Sequence, residues 1–162
     1  MMDGPILRSE MKRTRRVYLD VCCLNRPFDD QDQERVRLEA EAVKSVLFRI
    51  GTGRWVGIGS DAIDFEVDRM SDPDRRLEIT SILSKFAEYV QVGETERKRG
   101  VDLEVLGFGP TDALHVACAE KARADVLLST DDVLLRKAGR HAGLLGVRAA
   151  NPLAWMAEVM KA

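Results

Sequence analysis

Short apolar runs that stop on a carboxylate, each followed by a helical pattern, constrain this chain more than any other feature. In Arg16-Val-Tyr-Leu-Asp20 a β-branched and aromatic run ends on an acid, and Ala124-Asp-Val-Leu-Leu-Ser-Thr-Asp-Asp132 does the same. Trp55-Val-Gly-Ile-Gly-Ser60 is a third strand, with Glu66 six residues beyond Ser60 on a short helix carrying Ile63, Val67 and Met70. Strands alternating with helices along the whole chain predict an α/β fold with a parallel or mostly parallel sheet, because right-handed crossovers lay each helix over a sheet face. In such a sheet the strand C-termini gather at one edge, and ligands bind there at the switch point of the strand order.

Other segments fit the same scheme. The loop Cys22 to Phe28 is expected to be irregular, and Asp29, Asp30 and Asp32 suit the start of a helix reaching Ile50, with Val36, Ala40, Val43, Leu47 and Ile50 on one face and Gly51 as its stop. Ser71-Asp-Pro-Asp74 is a turn and cap before a helix to about Ala87, with Ile79, Leu83 and Phe86 in a stripe. A strand over Tyr89 to Val92, a helical segment from Glu94 to Leu106 and a helix from Thr111 to Ala122 come next. The strand Val126 to Ser129, a helix over Val133 to Ala138, an edge strand near Leu145 to Arg148 and a last helix from Pro152, capped by Asn151, finish the chain.

At 162 residues the chain is long enough for one domain with a sizeable core. Residues 1–16 are expected to form a flexible basic arm, with 17–162 as the domain and Met11 as an alternative start. The 25 basic against 27 acidic residues give no bulk electrostatic footprint for nucleic acid, though local contacts to a few phosphates stay open. Cys22, Cys23 and Cys118 lack metal-ligand spacing and are expected to be reduced, small and buried in a cytoplasmic protein. With only His115 and His141 besides, a zinc site is hard to assemble. No apolar stretch approaches the ~20 residues of a membrane span.

Four acidic positions remain: Asp20, Glu66, Asp112 and the pair Asp131-Asp132. Brought to one sheet edge they repel one another and raise each other's pKa unless a cation neutralises them, and oxygen donors favour Mg²⁺ or Mn²⁺. Each has an ordinary alternative: Asp112 at a helix dipole, Glu66 as a solvated helix acid, Asp20 closing a turn, and one of Asp131 and Asp132, with Asp132 preferred, as a helix cap. His115, three residues after Asp112, either faces the site or is a satisfied buried group, the second being favoured. Arg97, Lys98 and Arg99, then Arg136, Lys137 and Arg140, are RNA-backbone contacts or solvated helix faces. Lys12, Arg13, Arg15 and Arg16 either steer nucleic acid or belong to a tail.

Val-Tyr-Leu-Asp20, Ser60 with Glu66, Thr111-Asp112-Ala-Leu-His115-Val-Ala and Leu-Leu-Ser129-Thr-Asp131-Asp together resemble the PIN domain over roughly residues 17 to 155. The resemblance implies a three-layer α/β/α sandwich around a mostly parallel sheet and a Mg²⁺- or Mn²⁺-dependent endoribonuclease of the VapC-like kind. Such proteins are toxins silenced by a partner antitoxin and commonly form homodimers. Asp20, Glu66 and Asp112 match the first three acids of the family; Asp131 is the favoured fourth, with Asp132 as alternate. Ser60, Ser129 and Thr130 match small polar positions that support the acids. Where the family has Thr or Ser and then Asn after its first acid, this chain has Val21 and Cys22, removing one polar support of Asp20. In the following loop, Asn25 or Arg26 either contacts substrate or merely shapes a turn. A non-catalytic PIN-like module that binds RNA or a protein partner is the alternative. A phosphoacceptor receiver domain fits poorly, since Asp20 has no acidic neighbour and Leu145 to Asn151 has no lysine.

Overall fold

The computed structural model describes residues 14–161. Five strands, β1 (Arg16–Leu19), β2 (Val56–Ser60), β3 (Glu88–Val90), β4 (Val126–Leu128) and β5 (Ala149–Ala150), form one sheet in the order β3-β2-β1-β4-β5. Every pairing is parallel. Eight helices cover the sheet on both faces: α1 (Val21–Asn25), α2 (Glu34–Gly51), α3 (Asp61–Asp68), α4 (Pro73–Leu83), α5 (Glu94–Val105), α6 (Pro110–Lys121), α7 (Asp132–Arg140) and α8 (Pro152–Lys161). This is the expected three-layer α/β/α sandwich.

β1 lies at the centre, and the order of the strands reverses between β1 and β4. That is the switch point at which the loops after two neighbouring strands diverge and leave a crevice. Asp20 follows β1 there, and Ser129 to Asp131 follow β4. Val17, Tyr18 and Leu19 are fully buried, as befits a strand covered on both faces. Tyr18 points to the side of α6, where it bonds His115, and Val17 and Leu19 alternate to the other face. Ala40, Val43, Val46 and Ile50 form the buried stripe of α2, while Val36 and Leu47 are only half-buried. α2 packs against α8 and α5 against α6. Gly57 in β2 is a packing glycine, because a Cβ there would stand 2.7 Å from the ring of Phe86.

Expected boundaries differ at several places; the helix after Pro73 ends at Leu83 rather than near Ala87, and β3 lies at Glu88–Val90 rather than Tyr89 to Val92. The segment Cys22 to Phe28 is helical, α1 running directly into a 3₁₀ turn over Arg26–Phe28, because Asp20 caps it and Pro27 fits a helix start. α2 begins at Glu34 after Gln33, and Asp29 and Asp30 do not cap it. Asp29 instead pairs with Arg26 and Arg75, and Asp30 accepts a bond from the backbone of Asp32. β5 lies at Ala149–Ala150 rather than Leu145 to Arg148, since hydrogen bonding to β4 selects the residues level with Leu127 and Leu128. Of the basic arm, Lys12 and Arg13 lie outside the described residues; Arg15 stacks over Trp155, and Arg16 opens β1 and pairs with Glu88.

Candidate active site

Asp20 is held by its own chain. Its amide donates to Leu128 O across the β1–β4 junction at 3.1 Å, which carries the backbone one residue beyond the strand. Its side chain then caps α1: Oδ1 accepts from Cys23 N at 3.1 Å and from Cys22 Sγ at 2.9 Å. The thiol of Cys22 therefore supplies the donor that the sequence comparison counted as lost. Only 4% of Asp20 is exposed, and burial raises its pKa against the pull of Cys22, Ser129 and His115. Burial, followed by the charge of Asp20, pushes the Cys22 thiol up to about 12, so it stays a protonated donor. All three cysteines are free; Cys23 and Cys118 are buried and Cys22 is partly exposed.

Ser60 ends β2 and caps α3, accepting from Ile63 N at 3.1 Å. Its hydroxyl is 2.7 Å from Tyr18 Oη, which is in turn 2.7 Å from His115 Nδ1. His115 Nε2 bonds Glu66 Oε1. Ser60, Tyr18 and His115 are buried, and the chain of bonds surfaces at Glu66, whose side chain is 36% exposed. Of the two sequence readings of His115, the structure shows the satisfied buried group. Tyr18 was visible in the sequence only as a strand residue. A phenol between Val17 and Leu19 in a fully buried strand was the available signal, because a buried hydroxyl needs a partner.

Asp112 is the third residue of α6, after Gly109 as cap and Pro110 in the first turn. Among the described residues its carboxylate accepts no hydrogen bond. Burial raises its pKa, His115 opposes this, and the charges of Asp131, Asp20 and Glu66 raise it further. The charges of the other three acids are thus felt at Asp112. Asp131 caps α7, Oδ1 accepting from Val133 N at 2.9 Å and Leu134 N at 3.3 Å, while Ser129 Oγ accepts from Asp131 N at 3.0 Å. The cap is therefore Asp131 and not Asp132, the first residue of the helix. Asp132 turns to Arg35, which donates to both its oxygens at 2.8 and 2.9 Å and depresses its pKa. Thr130 is buried, and its carbonyl lies 3.5 Å from Arg35 Nη2.

Among the described residues no three His, Cys, Asp or Glu side chains form a ready-made cage for an ion. The acids are instead tied to separate anchors: Asp20 to α1, Asp131 to α7 and Glu66 to His115.

Beside this edge lies a network not foreseen from the sequence. Glu39, 1% exposed, accepts from Arg26, Arg35 and Asn151 Nδ2. A glutamate one helical step from Val36 and Val43, inside the apolar stripe of α2, was the signal. Asn25 Nδ2 donates to Val21 O and its Oδ1 accepts from Arg75 at 3.4 Å, so Asn25 and Arg26 are both engaged in shaping their loop. Of the charge runs, Lys98 pairs with Glu94, Arg99 with Glu120, and Lys137 donates to Gly107 O.

The sequence matches the PIN domain family over residues 17–140. No curated protein matches the chain. Among solved structures, the crystal structure of VapBC2 from Rickettsia felis bound to a DNA fragment from their promoter contains a chain of similar fold. It is 12% identical with a TM-score of 0.50, and the match covers 84% of this chain and 98% of that one.

Proposed function

The chain belongs to the PIN-domain family, and from that premise we propose that it is a metal-dependent endoribonuclease whose site is Asp20, Glu66, Asp112 and Asp131. The observation that carries this reading is Asp112: a half-buried carboxylate that accepts no hydrogen bond among the described residues, at the sheet's switch point, whose pKa is raised by burial and by three other acids. Acids so placed favour a cation over solitude. The donors fit Mg²⁺ or Mn²⁺, being carboxylate oxygens that leave room for water, whereas both nitrogens of His115 are engaged and the Cys22 thiol is protonated. Asp20, Asp112 and Asp131 would hold the ion, with Glu66 beside them, and Ser60, Ser129 and Thr130 support these positions. Asp132, committed to Arg35, is left out.

When bound, such an ion acidifies water and polarises a phosphate oxygen. Glu66, fixed through Oε1, keeps Oε2 to orient an attacking water and take its proton. In-line attack on phosphorus would break the bond to the 3′ oxygen, which takes a proton from solvent and leaves as the 3′-hydroxyl, while the phosphate stays on the 5′ end of the other fragment. Asp20 holds its place through the α1 cap, so its second oxygen does not swing away from the site.

RNA is the proposed substrate, with a VapC-like toxin paired to an antitoxin, a homodimer and a cytoplasmic location as the accompanying proposals. A neighbouring small open reading frame would support the pairing. Among the described residues no helix is long and apolar enough to cross a membrane. A non-catalytic module that binds RNA or protein is the second reading, favoured by the near balance of 25 basic and 27 acidic residues. Cleavage of structured and single-stranded RNAs in Mg²⁺, Mn²⁺ or EDTA, for wild type, Asp20→Asn and Asp112→Asn, separates the two. Metal-dependent cutting lost in both variants supports the nuclease. A protein that neither binds Mn²⁺ nor cuts, and whose RNA binding survives Asp112→Asn, is a binding module.

A further inference from the structure

We propose that Tyr18 and His115 are positioning residues for Glu66: a buried chain of hydrogen bonds from the centre of the sheet aims one acid of the site. The inference rests on the nuclease reading above and concerns residues that the acidic set does not include. Ser60 and Tyr18 are fully buried and His115 is 1% exposed, so water does not compete for their bonds. Proton positions follow from counting donors. Ser60 Oγ already accepts from Ile63 N and has its own proton to give. If Ser60 donates to Tyr18, then Tyr18 donates to His115 Nδ1, and Nε2–H is left for Glu66. If Tyr18 donates to Ser60 instead, His115 Nδ1–H donates to Tyr18, and the bond to Glu66 then takes its proton either from a doubly protonated ring or from Oε1. In each arrangement one proton joins Nε2 to Oε1, and Tyr18 fixes the ring's rotation.

Glu66 is the acid that needs such help. Asp20 and Asp131 are short side chains locked by helix amides, whereas Glu66 has one more rotatable bond and projects from α3 with no cap to hold it. An unrestrained glutamate has up to about 2 kcal/mol of rotamer entropy to lose on ordering. The bond to His115 takes up that loss during folding, before ion or substrate arrives. The bond uses Oε1 and leaves Oε2 outside it, and the charge of Glu66 is felt at Asp112.

Two substitutions dissect the ring. In His115→Gln the amide nitrogen takes the place of Nε2 and still donates to Glu66. In His115→Asn the side chain mimics the Nδ1 side and keeps Tyr18 but loses Glu66. Mn²⁺ binding, followed by the electron paramagnetic resonance of free Mn²⁺, and kcat and KM for RNA cleavage are measured on both, on Tyr18→Phe, on Glu66→Gln and on Glu66→Gln/His115→Asn. We expect His115→Gln to stay within about threefold of wild type, and His115→Asn to lose about 10- to 100-fold in kcat or Mn²⁺ affinity with KM little changed. Tyr18→Phe falls between them. Because His115 acts through Glu66, adding His115→Asn to Glu66→Gln costs less than about twofold more. The proposal is overturned if Asn and Gln behave alike, if Tyr18→Phe matches wild type in both readouts, or if the losses multiply in the double variant. Should His115→Asn not fold, Tyr18→Phe and His115→Gln decide. Asp20→Asn serves as the control for the site itself: unchanged Mn²⁺ binding there sinks the nuclease reading, independently of what His115 does.

Discussion

Cys22 shows how one side chain substitutes for another chemistry. A thiol is a weak donor, yet desolvated beside the charge of Asp20 it stays protonated around neutral pH, and its proton is present for Oδ1. With its pKa at about 12 against an ordinary 9.0, the thiolate fraction near pH 8 falls by about a thousandfold. Iodoacetamide labelling of Cys22 in EDTA at pH 8 should be slower than that of a free thiol by a similar factor, and Asp20→Asn should speed it. Rapid labelling in the folded wild type would contradict the protonated donor. Asp112 makes the opposite kind of statement. Its carboxyl pKa is raised in the fold, so ionisation costs stability that is present below the ordinary carboxylate range and lost as pH rises through the raised value. Without metal, Asp112→Asn should therefore melt higher at pH 7 by roughly 2–4 °C, the equivalent of about 1 kcal/mol. The gap from wild type should close as pH falls toward 4, and differential scanning calorimetry across that range tests it.

At the scale of elements, α7 is capped by a residue that the proposed site also uses. Asp131 caps the helix and its charge is felt at Asp112, and the cap separates from the proposed role by substitution. Asp131→Asn keeps a good cap and removes the charge, so stability should hold within about 0.5 kcal/mol while Mn²⁺ binding falls. Asp131→Ala should lose about 1 kcal/mol in urea unfolding as well. Asp132→Asn, which breaks only the exposed pair with Arg35, should leave Mn²⁺ affinity unchanged. The alternation of strand and helix, a parallel or mostly parallel sheet and the edge on which Asp20, Ser60 and Asp131 lie were legible in sequence, because buried strands and capped helices leave apolar runs and turn residues behind. What escaped was decided by partners distant in the chain. α1 is too short for periodicity and depends on a cap from Asp20; β5 is two alanines chosen by β4; Asp29 was claimed by Arg26 and Arg75. At the candidate site the acids were visible one by one, but the ion pair that engages Asp132 was not, because its partner Arg35 is 97 residues away.

Across the whole molecule, Glu39 ties the loop after β1, α2 and the start of α8 together, and through Arg35 reaches α7. Glu39→Gln should lower stability by about 2 kcal/mol, discounted from a fully buried pair because Arg35 is half-exposed. That corresponds to a melting point roughly 4–8 °C lower, and a thermal scan that shows no change would mean the network is ornamental. The central position of β1 has a further consequence, for synthesis rather than for chemistry. Leu19 lies beside Leu128, and the amide of Asp20 waits for the carbonyl of that same leucine. A ribosome adding roughly 5–20 residues per second delivers β4 several seconds after β1. Until then the first strand has a neighbour on one side only, and Asp20, Ser60, Glu66 and then Asp112 leave the tunnel ahead of Asp131. The acidic edge therefore comes together late in translation, and a chain cut short before β4 has no such edge.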